Sequence, residues 1–165
     1  MVLLDQNRDE YFCNMQLRTN PTLIVVLVAM CFQSMYWPTE RNNADLVLEI
    51  SGIRNKKGEI LIAMFNQPQG FPEDESRFFR VDTIRGLSGT TVRTVFRDLE
   101  FGEYAITMMH DEDVDGGMDY NWFGIPKEGY GFSTNYKPIF RAPKFEETSF
   151  QFTQDGQVIK VEMIY

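Results

Sequence analysis

Phe96-Arg97-Asp98-Leu99-Glu100-Phe101-Gly102-Glu103-Tyr104-Ala105-Ile106 is the stretch that decides the fold. Gly102 permits a tight turn into a strand, and Leu99, Tyr104 and Ile106 are set to point into a core. Just upstream, residues 90–96 alternate and carry β-branched side chains, so they read as a strand. Just downstream, residues 102–109 (Gly-Glu-Tyr-Ala-Ile-Thr-Met-Met) read as the next strand. The phrase is a strand, a tight turn and a second strand.

The same two-residue period extends in both directions. Leu46, Leu48 and Ile50 alternate with Val47 and Glu49 in a first strand. Residues 59–65 (Glu-Ile-Leu-Ile-Ala-Met-Phe) are almost continuously apolar, which predicts a central strand. The turn Asn55-Lys56-Lys57-Gly58 between them predicts a hairpin. Residues 66–80, with Pro68, Gly70 and Pro72, read as a long loop whose tail, 76–81, forms a short helix or an edge strand. Residues 110–146 read as one long structured loop. Residues 149–152 and 157–164 are expected to close the chain as a hairpin around Gln154-Asp155-Gly156. No stretch has sustained helical periodicity. About seven short strands predict an all-β fold, a single β-sandwich with one long structured loop, of transthyretin-like or immunoglobulin-like type. Its expected core is Leu48, Ile50, Ile60, Ile62, Leu99, Tyr104, Ile106, Phe150, Phe152, Val161 and Met163. The stretch quoted first also resembles the phrase Phe-x-x-Leu-x-x-Gly-x-Tyr-x-Ile of transthyretin-like, prealbumin-type sandwich modules.

Bulk properties narrow the function. The chain has 165 residues, enough for one domain with a sizeable core. It holds 14 Phe and 7 Tyr, which suit strands better than helices. Its formal charge is −8 with no basic block, which argues against nucleic acid and against an anionic membrane surface. An acidic balance fits solubility or a cation partner.

Residues 23–32 (Leu-Ile-Val-Val-Leu-Val-Ala-Met-Cys-Phe) are uncharged and apolar, a length that suits the core of a signal peptide. Arg18 supplies the positive flank, and Asp5, Asp9 and Glu10 point to Met15 as the start of translation. No small-x-small cleavage pattern follows, and Val28-Ala29-Met30-Cys31 only weakly echoes a lipoprotein box, so a retained anchor is the alternative. The expected organisation is 1–37, an N-terminal extension plus signal peptide or anchor; 38–44, a polar linker; and 45–165, the sandwich. The expected location is exported: periplasmic, secreted or anchored at the cell envelope. Cys13 and Cys31 are the only cysteines, and both precede the sandwich. The folded part therefore has no disulfide, no cysteine nucleophile and no cysteine-based zinc site.

The chemistry concentrates in His110-Asp111-Glu112-Asp113-Val114-Asp115-Gly116-Gly117-Met118-Asp119-Tyr120-Asn121. Carboxylates at positions 1, 3, 5 and 9 with Gly at position 6 match the front of a calcium loop. Alternate residues of a tight curl aim their oxygens at one centre, and like charges held together favour a hard cation. Asp111, Asp113, Asp115 and Asp119 are the expected ligands of Ca²⁺, with the carbonyl of Gly117 between them. Glu112 alternates away from that centre, so its replacement is expected to change little. Position 12 is Trp122, where an EF-hand needs Glu, and a strand rather than a helix enters, so this is not an EF-hand. Further candidate ligands or loop-site residues are His110, Asn121, Glu128 and Asn135. The competing reading is a solvated acidic turn.

The loop continues through a run of aromatics and glycines. Trp122, Tyr130 and Phe132 form a candidate ligand platform, since such rings stack on sugars. The favoured alternative is that the rings pack inward and pin the loop. A carbohydrate or a cell-envelope protein is the candidate partner beside the metal cation. No catalytic residue is assigned. His110 is the only histidine, Ser133 is the only serine in the loop, and no Gly-x-Ser-x-Gly elbow exists. The leading expectation is an exported, calcium-stabilised β-sandwich acting as a binding or accessory module. The alternative is a small metal-assisted hydrolase of an extracellular polymer using residues 110–135, with paired carboxylates such as Glu128 and Asp119.

The run His-Asp-x-Asp-x-Asp-Gly-x-x-Asp-x-Asn-x-x-Gly-Ile-Pro-Lys-Glu-Gly-Tyr-Gly-Phe-Ser (residues 110–133), followed by Pro143-Lys-Phe145-Glu-Glu-Thr-Ser-Phe150, resembles an exported bacterial family of unknown function, domain-of-unknown-function family 2141. The resemblance covers residues 46–165. It implies an export signal and a β-sandwich, and it supplies no activity. The family often has Asn where this chain has Asp113 and Asp115, and the more acidic version favours a cation.

Overall fold

The computed structural model describes residues 42–139 and 141–165. The signal or anchor segment, the Met15 start, Cys13 and Cys31 lie outside the described residues.

Eight strands build two packed sheets, one more than the sequence reading counts. They are β1 (Asn43–Ser51), β2 (Glu59–Phe65), β3 (Arg80–Arg85), β4 (Thr91–Glu100), β5 (Gly102–Asp111), β6 (Gly129–Phe132), β7 (Phe150–Phe152) and β8 (Gln157–Glu162). One short helix, α1 (Phe145–Thr148), and a 3-10 turn at Glu75–Arg77 complete them. Asn43 and Ala44, placed in the linker by the sequence reading, open β1. Among the described residues, no helix is long and apolar enough to cross a membrane.

The smaller sheet has the order β4-β1-β8, with β8 parallel to β1. The larger sheet runs β3-β2-β5-β6, and β7 pairs with the first residues of β5 beyond the end of β6. Between the sheets lie Leu46, Leu48, Ile50, Ile60, Ile62, Leu99, Tyr104, Ile106, Phe152, Val161 and Met163. Phe150 is only partly buried and packs on the margin of that core. β2 is apolar on both faces because both are covered. Its second face, with Ala63 and Phe65, packs with Ala105 and Phe145 under Phe71 and Phe78 from the loop between β2 and β3. Phe65 meets Phe71 and Phe78 edge-on at centroid distances of 5.1 and 5.3 Å.

Two expected hairpins are not formed. β1 and β2 stand in different sheets, and so do β7 and β8. The turn chemistry is present in both links but serves a crossing. Asn55 Oδ1 accepts from Lys57 N–H at 2.9 Å, yet residues 52–58 carry the chain from one sheet to the other. At the other link, Gly156 N–H donates to Asp45 C=O at 2.8 Å and Asp45 N–H donates to Asp155 Oδ1 at 2.9 Å. The Asp-Gly turn thus binds the start of β1. The opening phrase also crosses sheets, since β4 and β5 are joined through Phe101 alone. Tyr104 Oη donates back to Glu100 C=O at 2.9 Å, a tyrosine corner that fixes the crossing. Residues 110–146 are not one loop, because they contain the end of β5 and all of β6.

Candidate metal loop

β5 is central in its sheet, and its C-terminal end carries the candidate site. His110 pairs with Ile60 on one side and Gly129 on the other, and Asp111 pairs with Glu59. Both side chains are fully buried. His110 Nε2 lies 2.9 Å from Lys57 C=O, and Nδ1 lies 2.7 Å from Tyr165 Oη. A carbonyl only accepts, so Nε2 carries the hydrogen, and in the neutral ring Nδ1 accepts from the Tyr165 hydroxyl. That hydroxyl also accepts from Arg54 N–H at 3.1 Å, and burial holds it above the usual tyrosine range. His110 therefore braces the strand end.

Asp111 shapes the loop that follows. Its Oδ1 accepts from Val114 N–H at 2.6 Å and its Oδ2 from Gly116 N–H at 2.9 Å. The curl requires positive φ at Val114 (63°) and at Gly116 (83°). The first is unfavourable for a β-branched residue, and the second suits glycine. Asp115 Oδ1 accepts from Gly117 N–H at 2.9 Å. As a result, one carboxylate oxygen from each of Asp111, Asp113 and Asp115 lies within 4.8 Å of the others. Asp113 and Asp115 are exposed. All-oxygen donors at such spacing suit a hard divalent cation.

Asp119 stands apart from this trio. Its Oδ2 lies 3.6 Å from Lys127 Nζ, and its backbone C=O accepts from Lys127 N–H at 2.8 Å. Glu128 is buried, with Oε1 on Glu112 N–H at 2.8 Å and Oε2 on Asp119 N–H at 3.3 Å. One carboxylate thus ties together the two ends of the acidic loop. Glu112 turns away from the trio, as its alternation predicts, but it is not idle. Arg54 Nε donates to its Oε1 at 2.6 Å and Asn55 Nδ2 to its Oε2 at 2.9 Å. Desolvation pushes its carboxyl up, but the hydrogen bonds from Asn55 and Arg54 outweigh that and hold it below the usual range.

The remaining candidates are engaged elsewhere. Asn121 Oδ1 accepts from Phe123 N–H at 2.9 Å and Ile125 N–H at 3.0 Å. Asn135, at φ 56°, clamps β8 by accepting from Glu162 N–H at 2.7 Å and donating to Lys160 C=O at 3.0 Å. Ser133 is buried, with its Oγ accepting from Ile106 N–H at 3.0 Å and donating to Thr148 C=O. Phe132 is buried and Tyr130 half-buried, so these two rings pack as pins. Trp122 does not pack inward: it is 87% exposed, and Phe123 beside it is 72% exposed. Sequence reasoning missed Tyr165 as the partner of His110. The two lie 55 residues apart, and no local signal joins them.

Residues 48–160 match the model of a family described as an uncharacterized protein conserved in bacteria, domain-of-unknown-function family 2141. No curated protein and no solved structure matches the chain.

Proposed function

Because the chain belongs to this bacterial family of uncharacterised proteins, we propose its role from its own site: an exported β-sandwich that binds calcium at the end of β5 and serves as a binding or accessory module without catalytic activity. The observation that carries the reading is the approach of Asp111, Asp113 and Asp115 within 4.8 Å. Three carboxylates so close repel one another, and a bound divalent cation removes that repulsion. The backbone N–H groups on Asp111 hold its carboxylate in place, so the first ligand is preorganised on a core strand. Asp119 would have to leave Lys127 to join the site.

The hydrolase alternative has less to stand on. His110 spends both ring nitrogens on Lys57 and Tyr165, and Ser133 spends its hydroxyl on Ile106 and Thr148. Neither faces the other as a nucleophile and base would. Glu128 spends both oxygens on loop N–H groups rather than on a water. Export rests on the apolar run at 23–32.

Isothermal calorimetry tests the reading. Calcium titrated into the full chain should give a saturable signal of one site, and Asp113→Ala should remove it. Absence of binding by the unmodified chain at millimolar calcium would reject the metal role.

A further inference from the structure

Residues 120–126 form a small hairpin immediately after the acidic loop. Tyr120 and Pro126 make an antiparallel bridge, and Asn121 N–H donates to Ile125 C=O at 2.9 Å. The N–H groups of Phe123, Gly124 and Ile125 are all bonded to Asn121, two of them through its side-chain oxygen. The tip is thus locked by its own hydrogen bonds. It presents Trp122, Phe123 and Ile125 at 87%, 72% and 57% exposure. Residues 120–126 include no charged side chain, and the charges at the base, Asp119 and Lys127, lie 3.6 Å apart.

We propose that this tip docks into the headgroup region of a zwitterionic lipid bilayer. A convex apolar tip with an aromatic ring at its end suits the boundary between headgroups and acyl chains. The N–H groups of Asn121, Phe123, Gly124 and Ile125 are paired within the hairpin, so these four can leave water without being orphaned. The other occupants fit less well. A sugar needs several directed polar groups, and the one amide side chain of the tip, Asn121, commits its oxygen to the backbone. Self-association through the tip offers too little area, because two rings and an isoleucine fall short of the roughly 800 Å² per partner of a stable interface. An anionic surface is disfavoured by the exposed Asp113 and Asp115 and by the net charge of −8. A zwitterionic surface carries no such penalty. The apolar run at 23–32, expected to be the core of a signal peptide or a retained anchor, would bring this domain to a bilayer during export or hold it there. The docking does not require the cation.

The chain has two tryptophans, Trp37 and Trp122, so Trp37→Phe leaves the tip as the sole indole reporter. This full-length variant is mixed with phosphatidylcholine vesicles whose acyl chains are brominated, in calcium and in chelator. Trp122 emission should shift to the blue and be quenched by the bromolipid in both buffers. Because the signal comes from the tip, it reads insertion whichever segment brings the chain to the vesicle. Adding Phe123→Ser and Ile125→Ser should remove most of the bromolipid quenching of Trp122 while leaving the melting temperature unchanged. Emission untouched by bromolipid would overturn the proposal, as would quenching that survives both substitutions intact. A blue shift that needs no lipid and grows with protein concentration would also overturn it, in favour of a second copy as the occupant. Quenching confined to anionic vesicles would overturn the zwitterionic assignment.

Discussion

The hydroxyl of Tyr165 lies 2.7 Å from Nδ1 of His110, joining the segment after β8 to the buried end of the central strand from which the acidic loop departs. Tyr165→Phe removes that donor and leaves a buried ring nitrogen unpaired. The expected loss is about 1–3 kcal/mol of stability, read as a lower urea midpoint with an unchanged slope. An unchanged midpoint would mean that the contact contributes nothing.

Gly58 sits at φ 62°, and a Cβ there would stand 1.8 Å from the carbonyl oxygen of Asp111. The obstacle is backbone, so no rotamer relieves it. Gly58→Ala should destabilise by something on the order of 3 kcal/mol. Gly116 also has positive φ, but a Cβ there meets nothing within 4 Å. Gly116→Ala should therefore cost only about 1 kcal/mol. Equal losses at the two positions would contradict the close approach of residues 58 and 111.

Glu112 separates support of the loop from metal binding. Its carboxylate holds Arg54, which is partly exposed, and Asn55. Glu112→Ala should lower stability by about 1 kcal/mol, by the same amount in calcium and in chelator. A loss seen only in calcium would make Glu112 a ligand.

Glu147 governs part of the acid limb of stability. The Arg141 side chain, then the Lys144 N–H, hold its carboxyl down from 4.5 to about 2. A depressed folded-state value stabilises above 4.5 and loses that contribution as pH falls toward about 2. The stability gap between wild type and Glu147→Gln should therefore close over that window. A gap independent of pH would refute the linkage.

Strand positions were legible because period-two alternation is local. Leu46, Leu48 and Ile50 on one face of β1, and the two-sided burial of β2, are written in the residues themselves. The partner of each strand was not legible. Alternation tells which face is buried, not which neighbour bonds the edge, and the same Asp-Gly turn serves a hairpin or a crossing between sheets. β3 was only half legible, since Arg80, Asp82, Thr83 and Arg85 give a polar edge strand little hydrophobic signal. In the site, the approach of Asp111, Asp113 and Asp115 was readable because it depends on a short curl. Lys127 beside Asp119, Glu128 across the loop and Tyr165 on His110 depend on distant pairing, and spacing carries no trace of them. Ring type marked Trp122 and Phe132 alike; only the folded chain separates the exposed tip from the buried pin.

The most direct test of the metal loop is a thermal melt of the full chain in calcium and in chelator, for wild type and Asp113→Ala. At free calcium one hundred times its dissociation constant, binding adds about 2.7 kcal/mol, a rise of about 10 °C for a domain of this size. Wild type should show that rise, and Asp113→Ala should melt at one temperature in both buffers. A wild-type chain that melts at the same temperature with and without calcium would contradict the account, leaving residues 111–119 a solvated turn.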